Sequence, residues 1–100
     1  MPNALVITQP MGSVVATFEA LKSDYKLQSV SIHGASTYEV TLVLLPVPHE
    51  EQRLQLWSSV PVFAITLEAT LDVAAQEGWR PDLISTMADV SDVFAAIVYS

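Results

Sequence analysis

Ala16-Thr17-Phe18-Glu19 and Ala69-Thr70-Leu71-Asp72 decide the predicted fold, because the second stretch reads as a copy of the first. A further match follows, since Asp24–Lys26 reads onto residues 77–80 with Gly78 as the only insertion. Charge sign and aromatic character recur in the same order in both stretches, which a helical period alone would not produce. We therefore predict that the chain contains an internal repeat.

The predicted repeats cover most of the chain, at about residues 4–45 and 53–99, with the apolar run Val40–Leu45 falling on Phe94–Tyr99. Each unit is too small to be stable alone, so the two must share one core. The sequence therefore predicts a single domain, residues 1–100, with pseudo-twofold symmetry.

The first repeat contains one predicted helix between strands. Leu5–Thr8 is a short β-branched run typical of a strand, and Ser13 is the predicted N-cap of a helix over Val14–Asp24. Two strands follow, at Leu27–His33 and at Tyr38–Leu45, where apolar and polar residues alternate.

The second repeat has the same predicted order. Arg53–Trp57 alternates as a strand does, although the proline and glutamates just before it are also compatible with a short helix. A helix over Phe63–Glu77 ends at Gly78, a common C-terminal stop. Strands at Leu83–Met87 and Val93–Tyr99 complete the unit.

The predicted fold class is α+β, with the order β-α-β-β occurring twice. Each helix has one apolar stripe and the strands have one polar face, so the economical arrangement is a two-layer sandwich. It places both helices on one face of a mainly antiparallel sheet. The six strands form either one continuous sheet or two halves that pair through their edges.

The segment Leu71–Trp79, followed by two strands and the apolar end Phe94–Tyr99, resembles a group of small bacterial and phage domains of unknown function. In that group a leucine-bearing helix ends in Glu-Gly-Trp before a β-hairpin, here Glu77-Gly78-Trp79. The resemblance implies that Trp79 folds back over the junction between helix and sheet. It covers about the last third of the chain and implies no catalytic residues.

The composition is that of a folded domain. Apolar residues make up 51% of the 100 residues, which argues against disorder. No apolar run reaches the roughly 18 uncharged residues of a membrane-spanning helix, so no membrane contact is predicted. The chain has no cysteine and lacks the basic start of a secretory signal, so we predict a cytoplasmic protein.

The charge balance argues against one class of partner. Eleven Asp and Glu residues stand against four Lys and Arg residues, giving a net charge of −7. Nucleic-acid binding depends on clustered Lys and Arg, so no direct nucleic-acid contact is predicted. An acidic surface keeps a domain soluble or steers it toward a basic protein.

The sequence contains no pattern of catalytic residues. The three glycines lack the spacing of a phosphate-binding loop. Neither His33 nor His49 has a neighbouring pattern that marks a nucleophile or a metal partner. We predict no catalytic residue, no cofactor and no metal site, and hence a protein that is not an enzyme.

Five residues are the predicted contact residues for a protein partner: Trp57, Glu68, Asp72, Asp89 and Asp92. Trp57 follows a polar connector and precedes two serines, so an exposed contact and a core position are both compatible with the pattern. Glu68 and Asp72 lie one turn apart on the polar face of the second helix, where solvation alone also explains them.

The predicted function is a non-catalytic protein–protein interaction module that acts through an acidic surface or an exposed sheet edge. One concrete version is a phage- or mobile-element-encoded inhibitor, similar to some anti-CRISPR proteins, that occupies a basic surface of a host complex. The alternatives are a homodimeric structural or assembly protein, and a small-molecule-binding domain with a pocket of about 300 Å³ or more between helices and sheet.

Overall fold

The computed structural model describes residues 4–34, 38–59, 66–89 and 92–100. Two helices and six strands follow the order β-α-β-β twice along the chain. They are β1 (Leu5–Pro10), α1 (Met11–Leu21), β2 (Lys26–Gly34), β3 (Tyr38–Leu45), β4 (Arg53–Ser59), α2 (Thr66–Gln76), β5 (Pro81–Ala88) and β6 (Val93–Tyr99).

The strands form two antiparallel sheets of three strands each. The N-terminal sheet has the order β1-β3-β2, and the C-terminal sheet has the order β4-β6-β5. The registers correspond, because Leu5 pairs with Leu44 in the first sheet and Leu54 pairs with Val98 in the second. Side chains alternate between the two sides of a strand, so each sheet has an inner and an outer face.

The main core lies between the inner faces of the two sheets and α1. Alternate residues of the two middle strands point into it, together with one side of α1: Val14, Phe18, Val40, Leu42, Leu44, Phe94, Ala96 and Val98. Fully burying one large apolar side chain contributes about 1.5–3 kcal/mol. Because this cluster draws on both sheets, it holds the two halves of the chain together.

A second core cluster lies on the outer face of the C-terminal sheet, where α2 packs. Its buried members are Ala74 of α2 and the intervening residues of β6, namely Ala95, Ile97 and Tyr99. Partly buried side chains complete it: Trp57, Leu67, Leu71 and Trp79. The strand β6 is therefore buried on both faces, which fits its unbroken apolar sequence.

The α+β class and the antiparallel pairing are confirmed. The strands form two separate three-stranded sheets, as in the second of the two predicted arrangements, but the sheets meet through their inner faces and not by pairing of their edges. The helices do not share one face of a sheet as predicted, because α1 packs in the main core between the sheets and α2 packs on the outer face of the C-terminal sheet. The internal repeat as an ancestral duplication stays a prediction.

The start of α1 differs from the prediction, because the helix begins at Met11 directly after β1. Pro10 is the N-cap residue, with φ −57° and ψ 148°, and no side chain caps the helix. The prediction of Ser13 as N-cap was wrong: its hydroxyl donates to the carbonyl oxygen of Pro10 at 3.3 Å from within the first turn. The fixed φ of proline lets the strand lead straight into the helix.

The end of α2 matches the prediction. Gly78 has a positive φ of 91°, the left-handed region that favours glycine. The amide of Gly78 donates to Ala75 and the amide of Trp79 donates to Ala74, both at 3.0 Å, which is a Schellman cap. Trp79 then packs half-buried against the second cluster. The predicted start of this helix at Phe63 lies outside the described residues.

The connector between the two halves is tied to the N-terminal half by two side chains. Gln52 is 3% exposed; its amide oxygen accepts from the Leu27 amide at 2.8 Å, and its amide nitrogen donates to the Leu27 carbonyl at 3.1 Å. His49 lies between the carbonyl oxygens of Val47 and Lys22, at 2.8 and 2.7 Å from its two ring nitrogens. The next residue after Gln52, Arg53, begins the predicted strand β4, which is confirmed.

Candidate functional site

A groove of about 400 Å³ lies between α2 and β4 on the outer side of the C-terminal sheet. Its helical wall consists of residues spaced three or four apart along one side of α2 and the residue just past its end: Thr66, Ala69, Thr70, Val73, Ala74 and Glu77. Its strand wall consists of Arg53 and Gln55. Val73 is 55% exposed, so the groove presents an apolar surface to solvent.

One end of the groove carries an ion pair. Arg53 Nη1 lies 3.4 Å from Glu77 Oε2, longer than the roughly 2.7–2.9 Å of a strong charge-assisted hydrogen bond. Both side chains are about half-exposed, so solvent screens the pair and it adds little stability. The guanidinium carbon also lies 5.9 Å from the centre of the Tyr99 ring, within range of a cation–π interaction.

A partly buried hydrogen bond orients Gln55, the second polar side chain of the strand wall. The Tyr99 hydroxyl donates to Gln55 Oε1 at 2.6 Å. Burial raises the pKa of Tyr99, and the nearby positive charge of Arg53 partly lowers it, so the hydroxyl stays protonated at neutral pH. Because its oxygen is engaged, Gln55 is left with its amide N–H groups as the available donors.

A second candidate surface is the free edge of the N-terminal sheet, formed by β1. This strand has six residues and no charged side chain. Among the described residues, the only backbone group of β1 with a partner outside the sheet is the carbonyl of Pro10. Every second residue of an edge strand directs its amide and carbonyl outward, so β1 offers a template for another strand.

The opposite edge of the same sheet is partly closed by side chains. The side chain of Gln52 pairs with both backbone groups of Leu27. The amide of Ile32 donates to Ser85 Oγ of the C-terminal sheet at 3.3 Å. Side chains of the fold therefore pair with part of the edge at β2 and leave the edge at β1 open.

The outer face of the N-terminal sheet next to β1 is exposed and of mixed polarity. Val6 is 70% exposed and pairs with Val43 on β3. Further along, the hydroxyls of Thr8 and Thr41 are 2.8 Å apart, and His33 Nε2 lies 2.9 Å from the Thr41 hydroxyl. These polar bonds order one end of the face and leave an apolar end at Val6.

The structure places two of the predicted contact residues on the exposed side of α2. Glu68 and Asp72 are both exposed, and neither forms an ion pair with any residue in the described ranges. Glu68 lies in the first turn, where a carboxylate also stabilises the helix dipole. Trp57, in contrast, is half-buried and packs in the second core cluster, opposite Ala95 in the sheet.

The other two predicted contact residues, Asp89 and Asp92, are hydrogen-bonded to each other. The amide of Asp92 donates to Asp89 Oδ1 at 2.7 Å, and the amide of Asp89 donates to the Asp92 carbonyl at 2.9 Å. These bonds join the residue after β5 to the residue before β6. Register places this pair at the same end of the C-terminal sheet as Ser59, the last residue of β4.

The sequence analysis kept a pocket between helices and sheet as an alternative, but it identified neither the residues that line this groove nor the role of Gln52. Arg53 and Glu77 are 24 residues apart, and no local pattern signals that they meet. The only sequence feature that could have indicated this contact is the opposite charge of the two residues, one at the start of β4 and one just after α2. In the described part of the chain, no group of three or more His, Cys, Asp or Glu side chains is placed to hold a metal ion.

The comparisons with known proteins assign no function to these surfaces. No known protein family matches the chain, and no curated protein or solved structure matches it significantly. Among the described residues, neither helix has the length and apolar character needed to cross a membrane. The resemblance to domains with a helix-terminal Glu-Gly-Trp stays a prediction.

Proposed function

We propose that this protein is a non-catalytic protein-binding module whose contact surface is the open edge of β1 with the adjoining outer face of the N-terminal sheet. The observation that supports this most is the difference between the two edges of that sheet. Gln52 and Ser85 pair with three backbone groups along the edge at β2, while the backbone of β1 before Pro10 has no such partner in the described ranges. An extended segment of the partner would add to β1 as a further strand.

Charge indicates the chemistry of that partner. The chain carries a net charge of −7, and Glu68 and Asp72 are exposed without an ion pair in the described part of the chain. The edge itself is uncharged, so backbone pairing there meets no local repulsion. Long-range attraction therefore favours a basic partner over a second copy of this chain, which would bring two strongly negative molecules together.

This proposal includes the more specific version that the sequence suggests, an inhibitor that occupies a basic surface of a host complex in the cytoplasm. This version is supported by the small size and acidic charge of the chain, together with the open, uncharged edge of β1. A phage or mobile-element origin belongs to the same proposal.

The test is to identify the partner and then measure its affinity for edge variants. The partner is recovered by affinity purification from the native host, and binding of the purified partner is measured by calorimetry. The double variant Val6→Lys, Thr8→Lys places two charges beside the edge and should weaken binding at least about tenfold, or about 1.4 kcal/mol. The double variant Ile84→Lys, Thr86→Lys, at two exposed positions of the other sheet, adds the same charge and is the matched control, which should lose much less affinity than the edge variant.

Wild-type affinity in the edge variant, Val6→Lys, Thr8→Lys, would contradict the proposal. Raising the salt concentration should also weaken binding, because a basic partner is attracted by screened charges. Sedimentation of the isolated protein distinguishes a different protein partner from a second copy of this chain at the edge. If the edge binds a different protein, we expect a monomer at micromolar concentrations. A dimer that the edge variant dissociates would show that the edge binds a second copy instead.

A further inference from the structure

The groove between α2 and β4 has the dimensions of a small-molecule site. Its volume of about 400 Å³ falls in the range of roughly 300–1,000 Å³ typical of ligand pockets. The side formed by α2 is largely apolar, with Ala69, Val73 and Ala74 along it. A short aliphatic chain would cover Val73, which is otherwise more than half exposed.

The polar end of the groove offers hydrogen-bond donors. The Arg53 guanidinium has five N–H donors in a planar fork, and Glu77 is its single carboxylate neighbour in the described ranges. Gln55 contributes amide N–H groups, because its oxygen is fixed by the Tyr99 hydroxyl. Two donor side chains from alternate residues of one strand therefore face the same end of the groove.

The position of Glu77 indicates which chemical group the polar end of the groove binds. Its carboxylate is already beside Arg53, yet at 3.4 Å the contact is long and half-exposed. Such a pair is weak, so a ligand carboxylate with better geometry can replace it on the guanidinium fork.

The charge of the ligand is limited to one unit. The chain has a net charge of −7, and Glu77 stays near the site even when its contact with Arg53 is broken. A phosphate group, with a charge of about −1.5 to −2, would meet stronger repulsion than a carboxylate.

We infer that this groove binds a small aliphatic monocarboxylate, with its carboxylate on Arg53 and Gln55 in place of Glu77 and its chain along Ala69 and Val73. This site lies on the C-terminal sheet, apart from the proposed protein-binding edge of the N-terminal sheet. It is independent of that proposal.

The inference is tested by titrating the isotope-labelled protein with hexanoate and following its amide signals by NMR. Signals of α2 and β4 should shift, giving a Kd at least about tenfold lower than that of hexanol, which has the same chain without the charge. Inorganic phosphate should leave these signals unchanged.

Variants at the ion pair give effects of opposite sign. Arg53→Ala should weaken hexanoate binding at least about tenfold, and Glu77→Gln should strengthen it about threefold, because the competing carboxylate is gone. Arg80→Ala removes an exposed arginine away from the groove and is the matched control, with unchanged binding. The double variant Val6→Lys, Thr8→Lys should also bind hexanoate normally.

Several results would overturn the inference. Equal affinity for hexanoate and hexanol would mean that the groove selects only for an apolar chain. Unchanged binding in a folded Arg53→Ala variant, or weaker binding in Glu77→Gln, would remove the carboxylate site. Because the Glu77→Gln effect is a gain, loss of folding cannot imitate it.

Discussion

The middle strands β3 and β6 occupy the same place in the two sheets but differ in what covers them. In β3, Val40, Leu42 and Leu44 are fully buried while the residues between them are half-exposed. In β6 every residue of Phe94–Tyr99 is buried, because α2 covers the outer face of its sheet. One half of the chain places its helix in the shared core, and the other places it outside.

This difference explains why the two outer faces have different chemistry. The outer face of the C-terminal sheet contains a small core of its own around Ile97 and Tyr99. The outer face of the N-terminal sheet carries the Thr8, Thr41 and His33 hydrogen bonds and the exposed Val6. Within the described residues, the outer face of the N-terminal sheet is therefore not covered by a helix, whereas α2 covers the outer face of the C-terminal sheet.

The largest expected effect compares corresponding residues of the two middle strands. Ile97→Ala should lower the free energy of unfolding by about 2–5 kcal/mol, because it opens a cavity under α2. Val43→Ala, at the half-exposed equivalent position of β3, should lower it by about 1 kcal/mol or less. Urea unfolding followed by circular dichroism measures both, and equal losses would mean that the two outer faces are equally covered.

Gln52 sharpens the contrast between the two edges of the N-terminal sheet. Gln52→Ala removes both hydrogen bonds to Leu27 and should reduce stability by about 1–3 kcal/mol, since a buried amide and carbonyl lose their partner. Gln28→Ala changes an exposed glutamine of β2 and is the control, with a change near zero. If the two variants unfold at the same urea concentration, Gln52 does not close this edge.

The two helices also differ at their glycines. Gly78→Ala forces a side chain into a positive φ and should reduce stability by about 1–2 kcal/mol. Gly12→Ala lies within α1 with open space around its Cβ position and should raise stability by about 0.5–1 kcal/mol. Thermal unfolding reports both signs, and a neutral Gly78→Ala would contradict the left-handed cap.

A smaller effect is expected from Tyr99 in the second core cluster, whose ionisation should make the free energy of unfolding depend on pH. Burial raises its pKa in the folded state above the ordinary value of about 10, so the folded protein holds this proton more tightly than the unfolded chain. Its contribution is fully present below about pH 10 and is lost as the pH rises through the folded-state pKa. Urea unfolding from about pH 8 to about pH 11 should show a steeper decline for the wild type than for Tyr99→Phe. Parallel curves would be inconsistent with a buried hydroxyl.

Much of the fold could be predicted from local patterns. The spacing of Val14 and Phe18 predicts the buried side of α1, and the alternation in β3 predicts its inner face. Gly78 marks the end of α2, because the conformation at that position depends on its own backbone. Such features depend on neighbours within a turn or two and are visible in the sequence.

The remaining features depend on residues that are distant in sequence. In the sequence, Gln52 looks like part of a solvated connector. In the fold it is buried, and its side chain pairs with the backbone of Leu27, 25 residues away, as a neighbouring strand would. The division into two sheets depends on how the inner faces meet, which the strand patterns leave open. The groove likewise requires the meeting of Arg53 and Glu77, which no local pattern encodes.

The most direct test of the open edge is amide hydrogen exchange of the isolated monomer, read residue by residue by NMR. Every second amide of β1 should exchange rapidly, because its partner is water, while the amides of Leu27 and Ile32 stay protected by Gln52 and Ser85. Uniformly slow exchange along β1, equal to that of Leu27 and Ile32, would show that the edge is closed and would contradict the proposed binding surface.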